Sequence, residues 1–241
     1  MPYTAFISDL HLTPARAEIN RIFFDFLRSA ARAAQSLYIL GDLFEYWAGD
    51  DDLGDPLNAR VAAGLKDLVE AGVPVYLMHG NRDFLMLEGF ALASGVRLLE
   101  DPTILNLYGT RTVLLHGDSL CTEDKHYQAF RRHARKRFWQ RVFLAQPLWL
   151  RKFRIEHARV RSERRKQAMG GEIMDVTSSA VEQSLRDSGC ARMIHGHTHR
   201  PARHVHVVNG RSCERWVLSD WYHHGQYLRV GPEGCVPVDL A

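Results

Sequence analysis

The stretch VYLMHGNRDFLM, residues 75–86, decides the fold. An apolar run from Val75 to Met78 stops at Gly80-Asn81, and Arg82 and Asp83 follow at once. A short apolar run bounded by Gly and Asn reads as a buried strand that ends in a sharp turn. The same arrangement recurs along the chain. Residues 3–8 form a strand-like run ending in Asp9-Leu10-His11, and residues 36–40 end in Gly41-Asp42. Residues 112–115 end in His116-Gly117-Asp118, and residues 191–194 in His195-Gly196-His197.

Helical periodicity links the first strands. Ile22, Phe23, Phe26 and Leu27 predict a helix within 18–34, and a second helix over about 57–71 stops at Gly72. Residues 203–238 hold short β-rich runs broken by Gly, which predict hairpins or a meander. A βαβα start and a mostly β end predict an α/β fold: a two-sheet core with helices outside. Residues 122–187 differ, looking helical throughout. They read as a helical cap inserted into one core domain made of 1–121 and 188–241.

The 241 residues suffice for one sizeable core. Net charge is only +3, but residues 131–166 carry fourteen Lys/Arg against two Glu, a local +12 that leaves −9 for the rest. That asymmetry predicts a basic segment facing an anionic partner. Cys121, Cys190, Cys213 and Cys235 are scattered, as free thiols of a reducing compartment would be. The N-terminus turns acidic at Asp9, unlike a signal peptide, and no apolar window reaches the length of a membrane span. A cytoplasmic location is expected.

The strand ends share one chemistry. In an extended chain residues i and i+2 point the same way, so Asp9 with His11, and His195 with His197, can grip one ion or two neighbouring ions. Asp, His and Asn without Cys favour Mn, Fe or Zn over an all-oxygen Ca or Mg site. Seven such groups are too many for one ordinary ion and suit two that share a carboxylate, with Asp42 the natural bridge. A lone His or Gly-Asp is more often structural. The case rests on five blocks, each after an apolar run.

The order D-x-H, G-D, G-N, H-G-D, G-H-x-H resembles the calcineurin-like metallophosphoesterase superfamily. The resemblance implies a four-layer β-sandwich flanked by helices, with a two-metal site. By position, one metal would take Asp9, His11, Asp42 and His197, and the other Asp42, Asn81, His116 and His195. Asp83 and Asp118 would orient these ligands or serve as plain turn residues. His79 and His199 would cap or pack beside the site.

Typical members place a histidine after Gly-Asn, where it can protonate a leaving group. Arg82 keeps its proton at any working pH, but it can hold a phosphate bidentately and offset charge growing in the transition state. That suits a leaving group already good, such as a phosphate leaving a diphosphate. The plainer reading is a surface turn residue paired with Asp83. In the cap, Phe130, Phe138, Trp139, Phe143, Trp149 and Phe153 interleave with Lys and Arg. Basic helices bearing Trp and Phe suit a membrane interface or an anionic lipid, and also a solvated face on core-packed helices.

FISDLHL, ILGDLFEYWAGDD, HGNRDFL, LLHGDSLCTEDKHYQAFR, EIMDV and IHGHTHRP together narrow the resemblance to the UDP-2,3-diacylglucosamine diphosphatases of bacterial lipid A synthesis. That family implies hydrolysis of UDP-2,3-diacylglucosamine to UMP and 2,3-diacylglucosamine 1-phosphate. A metal-bound hydroxide would attack the α-phosphorus, with two Mn(2+) per chain. Arg82, Asp42, Asn81 and His116 are the expected catalytic residues. Asn81, Arg82, Asp124, Ser162, Lys166, Met169 and His195 are the expected substrate contacts, with Met169 falling where some relatives have lysine. The resemblance also implies a peripheral protein on the cytoplasmic face of the inner membrane that binds no nucleic acid, with a monomer favoured.

Overall fold

The computed structural model describes residues 1–168 and 175–240, the side chains of 163–168 excepted. In chain order the strands are β1 (Thr4–Ile7), β2 (Ser36–Leu40), β3 (Val75–Met78), β4 (Arg97–Leu99), β5 (Thr103–Leu107), β6 (Thr110–Leu114), β7 (Arg192–His195), β8 (Ala202–Val208), β9 (Arg211–Val217), β10 (Gly225–Gly231) and β11 (Gly234–Leu240). The helices are α1 (Ala17–Arg28), α2 (Pro56–Glu70), α3 (Glu88–Ser94), α4 (Lys125–Ala134), α5 (Arg137–Leu144), α6 (Leu148–Ala168) and α7 (Ser178–Ser188).

Two sheets result. One has the order β11-β10-β1-β2-β3-β4, the other β5-β6-β7-β9-β8. In the first, β1 to β4 run parallel, joined by crossovers that carry α1, α2 and α3. In the second, β6, β7 and β9 run parallel. Parallel neighbours end on the same side, so the strands that carry the five chemical blocks deliver them to one edge.

Three apolar clusters separate four layers. Phe23, Phe26 and Leu27 of α1 and Val61, Leu65 and Leu68 of α2 pack with Ala5, Leu37 and Leu77 of the first sheet. Phe6, Leu40, Met78, Leu114, Ile194 and Leu228 fill the space between the sheets. Val113, Met193 and Cys213 of the second sheet meet Val181 and Leu185 of α7. Each fully buried side chain of this kind contributes about 1.5–3 kcal/mol, so these clusters fix the layering. The mixed α/β architecture expected from the sequence is the one present.

Local chemistry sets the element ends. Asp55 caps α2 by accepting from the Leu57 N–H, with Pro56 in the first turn, and Gly72 after the helix has φ +92°. The helix expected within 18–34 stops at Arg28, and a separate 3-10 turn spans Ala31–Ala33. The short β4, β5 and α3 carried too little periodicity to be read beforehand.

The cap boundary differs from expectation. The sequence places residues 178–187 in the insert, yet α7 forms the fourth layer through Val181 and Leu185, both buried. The helices that stand apart are α4, α5 and α6. Their basic residues are not all turned outward. Arg131 pairs with Asp118 (2.8 Å) and Asp101 (3.1 Å), Lys152 with Asp52 (2.6 Å), and Arg135 donates to the Gly80 carbonyl (3.0 Å). Arg151 is fully buried against Asp51 and the Ala48 and Gln146 carbonyls. These four basic residues fasten the cap to loops of the core. Buried charges of this kind are tolerated because they are paired.

Candidate metal centre

The loops beyond the strands are sewn together by backbone hydrogen bonds. Asp9 N–H donates to the Gly41 carbonyl (3.1 Å), His11 N–H to Asp42 (3.0 Å), Gly196 N–H to His116 (2.8 Å) and Trp221 N–H to Asp9 (3.1 Å). Side chains join in: Asp42 Oδ1 accepts from the Arg82 N–H (2.9 Å), and Asp9 Oδ2 from the His197 N–H (2.8 Å). Asp9, His11, Asp42, His197 and His199 all have positive φ, between 50° and 71°. Strained backbone of this kind persists where the surroundings over-determine it, commonly at functional sites. Gly196 allows a close approach. A Cβ there would collide with Ser8 Oγ and Asp9 Oδ2.

Among the described residues, two groups of ligand atoms result. Asp9, His11 and His199 form one, and Asp42, His116 and His197 the other, with the atoms of each group within 4.8 Å of one another. Asn81 Oδ1 joins the second group at 3.1 Å from His116 Nε2. Asp42 stands between the two: its Oδ2 is 3.9 Å from His11 Nε2 and its Oδ1 is 3.9 Å from His116 Nε2. One carboxylate facing a histidine of each group is the arrangement that a bridge between two ions requires.

The electrostatics fit cations. Burial, with the charges of Asp83 and Asp9, pushes the Asp42 carboxyl up to about 7. Burial alone would lower His116, but Asp42, Asp118 and Asp9 outweigh it and raise it to about 9. Carboxylates dense enough to hold a proton on a buried imidazole offer the same field to a metal ion. Burial holds His11 well below the usual imidazole range, hence neutral, as a ligand must be, and His11 Nδ1 lies buried without a hydrogen bond.

A pH dependence follows. The two raised values mean that the Asp42–His116 pair retains a proton at neutral pH in the metal-free protein, and a cation must displace it. Divalent-cation uptake should release protons and weaken steadily as pH falls from 8 to 6. Calorimetry in two buffers of different ionisation enthalpy checks this. Equal heats in both buffers would contradict it.

A family model described as calcineurin-like phosphoesterase matches residues 3–201. The chain belongs to the calcineurin-like phosphoesterase family. Among its relatives, the UDP-2,3-diacylglucosamine hydrolase of Aromatoleum aromaticum is 54% identical over 98% of this chain and 95% of that protein. Proteins of the same name from Cellvibrio japonicus and Xanthomonas oryzae are each 48% identical, covering 96% of either chain. Among solved structures, vacuolar protein sorting 29 of Cryptosporidium parvum aligns with TM-score 0.51 over all of this chain and 92% of its own, at 13% identity, which speaks for the shared fold alone.

Within this phosphoesterase, the expected ligands need two corrections. His195 joins neither group. It is the last residue of β7 and is fully buried, with Nδ1 2.8 Å from the Gly196 carbonyl and Nε2 3.1 Å from Arg215. Its register partner is Val217 of β9, and Arg215 reaches it from that strand. Burial and Arg215 lower it to about 4. It is equally withheld from a substrate. Its place is taken by His199, whose Nε2 lies 3.3 Å from Asp9 Oδ1 and 3.4 Å from His11 Nε2. His197, expected with Asp9 and His11, groups with Asp42 and His116 instead. The signal was present in the sequence: the family's G-H-x-H, read in register, is Gly196-His197-Thr198-His199.

The remaining positions divide. Asp83 accepts from the Leu43 (2.8 Å) and Gly80 (2.7 Å) N–H groups, so it staples the loops that present Asp42 and Asn81. It does not pair with Arg82. Asp118 accepts from Tyr127 and Arg131 and ties the centre to α4. Asp124 caps α4 through the Tyr127 N–H, and Ser162 lies exposed on α6. The Lys166 side chain and Met169 lie outside the described residues. His79 meets the Met86 carbonyl at 2.8 Å and packs beside the centre. Glu45, unread in the sequence, reaches 3.7 Å from His11 and 3.6 Å from Arg82.

Proposed function

We propose that this chain hydrolyses the diphosphate of UDP-2,3-diacylglucosamine, releasing UMP and 2,3-diacylglucosamine 1-phosphate, with manganese as its metal. The observation that carries the reading is Arg82. It replaces a proton donor beside Asn81, its N–H holds the Asp42 carboxylate, and its guanidinium is one carboxylate away from His11. Asp9, His11, Asp42 and His199 would hold one ion, and Asp42, Asn81, His116 and His197 the other. Two such ions polarise a phosphoryl group and lower the pKa of bound water.

The chain's own groups then orient the diphosphate. Arg82 binds a phosphate oxygen and offsets charge growing as the bond to the lipid phosphate breaks, with attack on the uridine-side phosphorus. The departing phosphate is stable as an anion, so it needs no acid at position 82. Phe130, Phe138, Val142, Trp149 and Phe153, all exposed on α4 to α6, are apolar surface for acyl chains and for a bilayer interface. A peripheral place on the cytoplasmic face of the inner membrane is part of this proposal. A nuclease reading is weaker, because Arg131, Arg135, Arg151, Lys152 and Arg159 already serve partners within the chain.

Manganese-loaded protein should release UMP from the lipid nucleotide, and chelation should stop it. Arg82→Ala should lower kcat/KM by about 10²–10³ while metal content is unchanged. No UMP from loaded protein would sink the proposal, and lost metal in Arg82→Ala would make the arginine structural.

A further inference from the structure

Glu45 sits at a crossing that the two cation groups do not explain. Its side chain is only 12% exposed, and four basic side chains converge on it. Arg159 of α6 bonds Oε1 directly at 2.5 Å. Arg82 stands 3.6 Å from the same oxygen, while Arg16 and His11 stand 3.6 and 3.7 Å from Oε2. Arg16, Glu45 and Arg82 lie in the loops after β1, β2 and β3. They repeat, one step further out, the construction that gathers the ligands. Glu45 itself is fixed by its N–H, which donates to the Leu12 carbonyl (3.0 Å).

We propose that Glu45 is a positioning residue that assembles Arg16, Arg82 and Arg159 into a clamp for a diphosphate diester beside the cation centre. Three guanidinium groups face the Glu45 carboxylate. Arg159 is shared with Glu156 at 2.9 Å, which leaves Arg16 and Arg82 to meet the two negative charges of a diphosphate diester. Spacing separates the roles. At 3.6 Å Arg16 and Arg82 are drawn to Glu45 without spending N–H donors on it, and Arg16 Nη1 is buried with no hydrogen-bond partner. Arg16 also stacks over the Tyr222 ring at 4.1 Å, which fixes the plane of its fork. Pre-oriented forks lose less freedom when they bind phosphate.

This deepens the proposed function and rests on it for the identity of the substrate, but the clamp is testable without lipid or uridine. The probe is the dimethyl ester of methylenediphosphonate, which carries two charges and resists hydrolysis. Its binding to manganese-loaded protein is measured by calorimetry, with metal content determined on the same samples. Glu45→Gln should weaken the probe about tenfold, the loss of one charge-assisted contact, with metal content unchanged. Arg16→Gln should do the same, and the double variant should lose little more than either single one. In turnover the loss should fall on KM rather than on kcat. Unchanged or tighter probe binding in Glu45→Gln, fully additive losses, or loss of metal in Glu45→Gln would each overturn the proposal. A wild-type protein that releases no UMP yet shows the coupled losses would leave the clamp standing and remove the substrate.

Discussion

Asp42→Asn should reduce hydrolysis by at least about a thousandfold, roughly 4 kcal/mol of transition-state stabilisation. The amide keeps the shape and can still accept from the Arg82 N–H. It removes the one negative charge that stands between His11 and His116. Two cations about 4 Å apart repel strongly unless a shared carboxylate screens them, so bound metal should fall as well. The metal-free protein should respond in the opposite sense. Asp42 is fully buried and its carboxyl is pushed up to about 7, so ionising it destabilises the empty fold. Folded-state protons on Asp42 are held above the usual carboxylate range, so its unfavourable contribution grows as pH rises from about 4 to about 7. With chelator present at pH 8, the variant should therefore melt no lower than the parent. Scanning calorimetry and metal analysis check both halves, and a variant with parental turnover would contradict the bridge.

The second large effect separates two histidines four residues apart. His199→Ala should lose one cation and turnover by at least about a hundredfold, because its Nε2 converges with Asp9 and His11. His195→Asn should keep both cations and most turnover. Its cost should appear as stability, about 1–3 kcal/mol, because Arg215 loses the acceptor at 3.1 Å inside the protein. Metal analysis and thermal melts on the same preparations distinguish the two. The reverse pattern would restore His195 as a ligand.

Why one histidine was misread is a matter of strand direction. The i, i+2 rule that pairs Asp9 with His11, and His195 with His197, assumes one continuous extended chain, which neither pair is: β1 ends at Ile7, and Asp9 and His11 also have positive φ. At His195-Gly196-His197 the strand ends on His195, and the chain then turns through positive φ at His197 and His199. His195 therefore stays buried at the end of its strand, while the two residues after Gly196 reach the centre. By contrast, the strands 36–40 and 75–78 were legible because apolar runs of strand length ended abruptly at Gly. Asp42 and Asn81 were legible for the same reason, and Asp9, His11 and His116 because they directly follow apolar runs of strand length. α7 was not, since its apolar face is only Val181 and Leu185 in an otherwise polar segment next to a basic helix. Glu45 and Arg16 were illegible because nothing in their spacing shows that three separate loops will meet.

We propose a two-ion centre bridged by Asp42 and closed by His197 and His199. Anomalous scattering from manganese-soaked crystals tests it most directly. Two peaks should appear, one among Asp9, His11, Asp42 and His199, the other among Asp42, Asn81, His116 and His197. A single peak, or a peak coordinated by His195, would overturn this assignment.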